Sequence, residues 1–177
     1  MTEKADIDLD VIGVGGGQYL TFMLNGEEYG VEILKVQEIK GWDSVTPIPN
    51  TPEYVLGVLN LRGAVVPIID LRMRFAMSHV EYGPTTVIIV VKMMSEQQER
   101  TVGLVVDAVA DVYRLEDSEV QEPPEAGDSV GTEYVRGLAN VQGKLVILLE
   151  IDRLIDFDML GGQHSAAASG MDMELAS

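Results

Sequence analysis

One stretch of this chain occurs twice, and nothing else in the sequence restricts the fold as much. Tyr54–Phe75 reads YVLGVLNLRGAVVPIIDLRMRF, and 80 positions later (134 − 54) Tyr134–Ile155 reads YVRGLANVQGKLVILLEIDRLI. Tyr54/Tyr134, Val55/Val135, Gly57/Gly137, Asn60/Asn140, Gly63/Gly143 and Val66/Val146 are identical, while Val58/Leu138, Ile68/Leu148, Asp70/Glu150 and Leu71/Ile151 are conservative pairs. The shared Gly-x-x-Asn-x-x-Gly frame predicts a strand, a turn that Asn and Gly can adopt, and an apolar return strand. A duplicated device predicts two similar half-units packed together. The copies also control for each other. What the turn needs is kept in both, whereas Arg62 is replaced by Gln142. Arg62 is therefore dispensable to the turn and is a candidate for a task other than folding.

The rest of the chain reads as further strands. Gln18–Leu24 alternates, with Leu20, Phe22 and Leu24 on one face, and Asn25-Gly26 marks a type I′ hairpin into Glu27–Val31. Glu32–Lys40 fits neither period: Leu34, Val36, Glu38 and Lys40 share one side of a strand, and Ile33, Lys35, Gln37 and Ile39 the other. A local break of this kind marks either a functional surface or a short helical turn ahead of the strand. Trp42–Pro52, with Pro47, Pro49 and Pro52, is a loop or edge segment. A short helix or turn at Leu71–Met77, a buried strand at Thr85–Val91 and a polar hairpin loop at Ser95–Arg100 follow. Thr101–Val112 reads as one strand run. It echoes Gly30–Ile39 at Gly30/Gly103, Val36/Val109 and Glu38/Asp111.

Leu115–Val130 is expected to be a solvated connector, and a second short helix is expected near Asp152–Asp156. Residues 1–17 end in glycines that precede the first strand with no Lys-Ser/Thr after them, so the reading is a flexible leader rather than a phosphate loop. Residues 161–177 read as a disordered tail. The whole is mostly β, a barrel or sandwich architecture rather than a βαβ fold, with repeat units over about 18–80 and 85–160.

Composition narrows the function classes. A net charge of −17 repels nucleic acid and disfavours anionic membrane. The apolar fraction of 46% permits a sizeable core. Cysteine is absent, which removes disulfides, a thiolate nucleophile and Cys-ligated metal. The strongest apolar run, Val87–Val91, is far short of the ~18–20 residues of a membrane helix. The expectation is a soluble cytoplasmic protein without membrane insertion.

Catalytic chemistry finds little support. The two histidines, His79 beside a loop and His164 in the tail, leave any zinc site to carboxylates and any Ser/His/Asp triad to His79 alone. Asp70 and Glu150 end equivalent strands. They read as acceptors for backbone N–H groups at the next turn, in preference to a paired-carboxylate hydrolase. No cofactor or metal is expected.

Glu27–Val31, Val36–Ile39, Asn60–Gly63, Val66–Leu71 and Gly103–Asp107, in this order and spacing, closely resemble the bacterial chemotaxis coupling protein (CheW) family over about residues 18–160. The resemblance implies two intertwined five-stranded SH3-like β-barrels with short helical segments, in which strands cross between barrels. It implies an adaptor, not an enzyme, that holds the histidine kinase CheA, through its regulatory domain, against the cytoplasmic tips of transmembrane chemoreceptors. Such a protein is cytoplasmic and recruited to membrane-associated receptor arrays. Val36, Glu38, Gly57 and Arg62 match family contact positions.

The residues themselves leave two readings at each point. Arg62 offers a forked guanidinium to a partner, or pairs internally with Glu38 or Asp70. Val36 and Ile39 are apolar anchors for a partner or ordinary core. Glu38 pairs with a basic partner residue or is a solvated edge charge. Gly57, given its twin Gly137, serves close backbone approach in preference to direct contact. The competing class is a small-molecule-binding or carboxylate-dependent hydrolytic β protein with its site between the barrels.

Overall fold

In the computed structural model of the chain, residues 17–123 and 132–154 are described. The expected leader, apart from Gly17, and the expected tail lie outside them. The strands are β1 (Gly17–Leu24), β2 (Glu27–Glu32), β3 (Val36–Gly41), β4 (Val55–Leu61), β5 (Ala64–Asp70), β6 (Val87–Ser95), β7 (Gln98–Val106), β8 (Ala108–Leu115), β9 (Val120–Gln121), β10 (Val135–Val141) and β11 (Lys144–Leu149). One short helix, α1 (Leu71–Arg74), follows β5.

The strands form two sheets with the same internal order. One runs β3-β6-β7-β5-β4, the other β8-β1-β2-β11-β10-β9. In both, two antiparallel hairpins are joined by one parallel pairing, β5 with β7 and β11 with β2. The first sheet uses the continuous segment 36–106; it is called here the inserted barrel. The second is assembled from the chain on either side of that segment and is called the split barrel. Each sequence repeat is thus divided between the two barrels. The first repeat gives β1–β2 to the split barrel and β3–β5 to the inserted one, and the second repeat does the reverse.

The continuous apolar runs follow from this arrangement. Alternate residues of β5 and β6 enter different cores: Val66, Ile68, Ile88 and Val90 pack inside the inserted barrel, while Ile69, Ile89 and Val91 pack between the barrels. Tyr19, Val146 and Leu148 fill the split barrel, whereas Leu20, Phe22 and Leu24 face the shared layer. A strand buried on both faces has no polar alternation to show. At about 25 cal/mol per Å² of apolar surface removed from water, the shared layer binds the barrels as a core does.

Two expectations are revised. Thr101–Val112 is not one strand: β7 ends at Val106, β8 begins at Ala108, and they lie in different sheets. Asp107 sits at the crossing, where its N–H donates to Met23 O at 3.0 Å. The polar hairpin loop at Ser95–Arg100 shrinks to Glu96 and Gln97, both at positive φ, because Ser95 already pairs with Gln98. The other crossing is a single 3-10 turn at Ile33–Lys35, which accounts for the mixed pattern before β3. A 3-10 turn at Ile151–Arg153 stands within the short helix expected near Asp152, and residues 155 and 156 lie outside the described part. Of the connector expected over Leu115–Val130, Leu115 still belongs to β8, a 3-10 turn at Asp117–Glu119 and then β9 follow, with β9 adding a sixth strand to the split barrel, and residues 124–130 lie outside the described part.

Candidate docking surface

The duplicated device is a hairpin with an Asx brace. Asn60 Oδ1 accepts the N–H of Gly63 at 2.8 Å, and Asn140 Oδ1 accepts that of Gly143 at 3.2 Å. The two turn residues of each copy have positive φ, 53° and 88° for Arg62-Gly63 and 53° and 82° for Gln142-Gly143. Arg62 and Gln142 hold the same backbone conformation, so the guanidinium contributes nothing to the turn itself.

The Arg62 side chain reaches across the seam of the inserted barrel, from the β4–β5 turn to Glu38 on β3. Its two terminal nitrogens donate to Glu38 Oε2 and Oε1 at 2.8 and 3.1 Å. The fork is at the surface: the Arg62 side chain is 78% exposed and that of Glu38 26%. The internal-pair reading and an exposed guanidinium hold together, with Glu38 rather than Asp70 as the partner. A pair this exposed adds about 0–1 kcal/mol to stability.

The remaining sequence-predicted residues separate by burial. Val36 and Ile39 are half-buried and pack on the layer between the barrels. Gly57 is buried at φ 148°, and a Cβ there would overlap the backbone of Thr46 and Pro47. The reason is the bridge between Thr46 and Val58, which lays the 42–52 loop over β4. Gly137 answers the same need, since a Cβ there would overlap Val120 and Gln121 of β9. Gly57 therefore shapes the surface by letting the 42–52 loop pack directly on β4.

Sequence reasoning missed the exposed aliphatic residues. Leu34 in the crossing turn and Val65 beside the Arg62 turn are each 67% exposed, and Leu145, the twin of Val65, is 58% exposed. The twin positions were the available signal, because both copies place an aliphatic residue directly opposite the Asn of the turn.

It also missed a buried ionic network near the Asp107 crossing. Arg72 and Asp70 are fully buried. Arg72 donates to Asp70 Oδ1 at 3.0 Å and Oδ2 at 2.9 Å, and to Asp107 Oδ1 and the Glu81 carbonyl at 2.6 Å each. Asp107 Oδ2 accepts the N–H of Asn25 at 2.7 Å, which ties the β1–β2 turn of the split barrel to α1. Burial works against the Arg72 charge, but hydrogen bonds and charges from Asp70 and Asp107 outweigh it and hold the guanidinium protonated above its ordinary range. Tyr82 donates its hydroxyl to Asp70 and stacks on Trp42 at 4.5 Å. Asp70 also caps α1 by accepting the N–H groups of Arg72 and Met73, as expected for a strand-ending acid. Glu150 makes no such side-chain cap. Asp70 is neutralised and fully buried, Asp107 pairs with Arg72 but keeps 32% of its side chain exposed, and the side chains clustered between the barrels are mainly apolar.

The comparisons with known proteins agree with this geometry. A CheW-like domain model matches residues 18–158. The chain belongs to the CheW-like family. Chemotaxis protein CheW of Klebsiella aerogenes is 44% identical over 87% of this chain and 90% of the relative. That of Rhizobium meliloti is 40% identical over 78% and 86%. Among solved structures, the scaffolding protein TtCheW of Thermoanaerobacter tengcongensis superposes with a TM-score of 0.72 at 31% identity, covering 81% of this chain and 90% of that one. The two sheets are SH3-like β domains, and family membership makes the chain a chemotaxis coupling and scaffold protein.

Proposed function

We propose that this CheW-like chain holds a CheA-type histidine kinase, through its regulatory domain, against the cytoplasmic tips of chemoreceptors, so that receptor state sets kinase activity. The observation that supports this most is the exposed Arg62–Glu38 fork on a turn whose twin manages with Gln142. A planar guanidinium with much of its surface in water can extend its hydrogen bonds to a partner's carboxylate or carbonyl groups without loss of fold. Val65 and Leu34 add exposed apolar area nearby in sequence, and Val36 and Ile39 support the strand from below. Gly57 acts indirectly, by letting the 42–52 loop lie flat. The role is that of an adaptor without catalytic chemistry, working in the cytoplasm at membrane-associated receptor arrays; no described helix is long and apolar enough to cross a membrane.

A charge-swapped protein, Arg62→Glu with Glu38→Arg, tests whether the fork meets a partner. The swap keeps an ion pair across the seam but reverses what the surface offers. Receptor control of kinase autophosphorylation in a reconstituted assembly should stay lost in the swap. Full recovery of control would show that the pair only braces the barrel.

A further inference from the structure

The twin barrel differs from the inserted one in a way that points to a second binding site. Register places Asp111 where Glu38 stands: Glu38 lies opposite Val90 on β6, and Asp111 exchanges hydrogen bonds with Thr21, the corresponding residue of β1. In the inserted barrel the hairpin supplies its own cation, Arg62. In the split barrel the same hairpin position is Gln142, and the seam is left without that guanidinium.

A groove of about 390 Å³ lies along that side of the split barrel, lined among others by Glu28, Asp111, Tyr113, Lys144, Leu145 and Ile147. Glu28 on β2 is only 6% exposed, yet its Oε2 has no hydrogen-bond partner. Its other oxygen faces Lys144 Nζ at 3.8 Å, and that lysine side chain is 65% exposed. The contact is long and wet, so Lys144 can swing out at little cost. A buried carboxylate oxygen left unpaired is costly, so a donor that reaches it gains by the full desolvation of that group. The local field is negative as well: burial, then the charges of Glu28 and Asp111, raise the pKa of Tyr113. Among the described residues no group of acidic or histidine side chains has the arrangement of a metal site. The groove's rim, with Leu145 58% exposed, suits an aliphatic stem leading to a charged head.

We propose that this groove receives one cationic side chain, an arginine or a lysine, from a protein partner, with Glu28 Oε2 as its acceptor and Leu145 against its aliphatic stem. The cation enters beside Asp111, the twin of Glu38, but bonds Glu28, which has no counterpart in the Arg62 pair. This site lies between β2, β8 and the start of β11, and does not depend on the adaptor reading.

The test uses the full chain, isotope-labelled, titrated with the peptide acetyl-Leu-Arg-Leu-amide and with its citrulline counterpart, which keeps the shape and removes the charge. Saturable amide shifts at Glu28, Lys144 and Leu145 are expected with the arginine peptide. They should weaken about tenfold with citrulline, and about tenfold in Glu28→Gln. Lys144→Ala should tighten binding severalfold by removing the competing ammonium. Equal shifts with both peptides, or no saturable shift at these positions, would overturn the proposal. Unchanged arginine binding in Glu28→Gln, with the variant shown to be folded by its amide spectrum, would overturn it too. The probe contains no chemotaxis protein, so a negative result here leaves the coupling role standing.

Discussion

At the scale of single residues, two arginines separated by ten positions do opposite work. Arg62 sits in water on a turn and Arg72 sits in the interior between two carboxylates. Removing one member of a buried ionic group leaves the others charged and unpaired, which costs about 3–5 kcal/mol. Arg72→Ala should lose stability of that order in denaturant unfolding, because Asp70 would be stranded in a sealed site. Tyr82 adds a pH dependence whose sign follows from its environment. Burial and the hydrogen bond to Asp70 favour the neutral phenol, so its pKa lies above the ordinary 10.0. The unfolded chain then ionises first, and the contribution, fully present below pH 10, is lost as pH rises beyond it. Tyr82→Phe should flatten the alkaline fall in thermal midpoint above pH 10, measured by calorimetry. Arg62 on its turn and Asp70 as an acceptor for the following backbone were legible in the sequence, but the ionic network was not. Asp70 ends β5, Arg72 lies in α1, and Tyr82 and Asp107 come from a loop and from the β7–β8 crossing, so only the fold brings the last two to the first pair.

At the scale of elements, the hairpin device was readable and its surroundings were not. Turn chemistry is local, so Asn60, Gly63 and their twins declared themselves. Exposure is not local. Val65, Pro67 and Ile69 share one face of β5, yet Val65 is 67% exposed and Ile69 is fully buried. That face begins in solvent and ends under the second barrel, which no periodicity can report. The missed break at Asp107 has the same origin, since β7 and β8 are both rich in valine and run on without a turn signal. Val65→Ser tests the exposed end of β5. Its stability should stay within about 0.5 kcal/mol of the parent in urea unfolding. If the residue anchors a partner, pull-down with the kinase or the receptor fragment should weaken by about 1–2 kcal/mol in affinity.

At the scale of the whole molecule, exchange of strands between repeats makes two barrels into one object. Lys35 and Met94, at the first crossing and on β6, both bond Asp152 beyond β11, at 2.8 and 2.9 Å. Arg74 of α1 lies over the rings of Tyr54 and Tyr134, 4.9 and 4.5 Å from their centroids, so the first residues of both copies of the duplicated stretch meet at one cation. A scaffold joined in this way presents its surfaces at fixed relative positions, which is what coupling two partners requires. The repeat was visible in the sequence; its partition between barrels was not, because each half-unit is locally self-consistent. The central claim is that Arg62 belongs to the partners and not to the fold. The direct measurement is Arg62→Ala, with thermal unfolding and receptor-controlled kinase activity recorded on the same preparation. The account predicts a change in midpoint of no more than about 4 °C, as an exposed pair worth under ~1 kcal/mol allows, together with loss of receptor control. A midpoint lowered well beyond that, with receptor control intact, would contradict it.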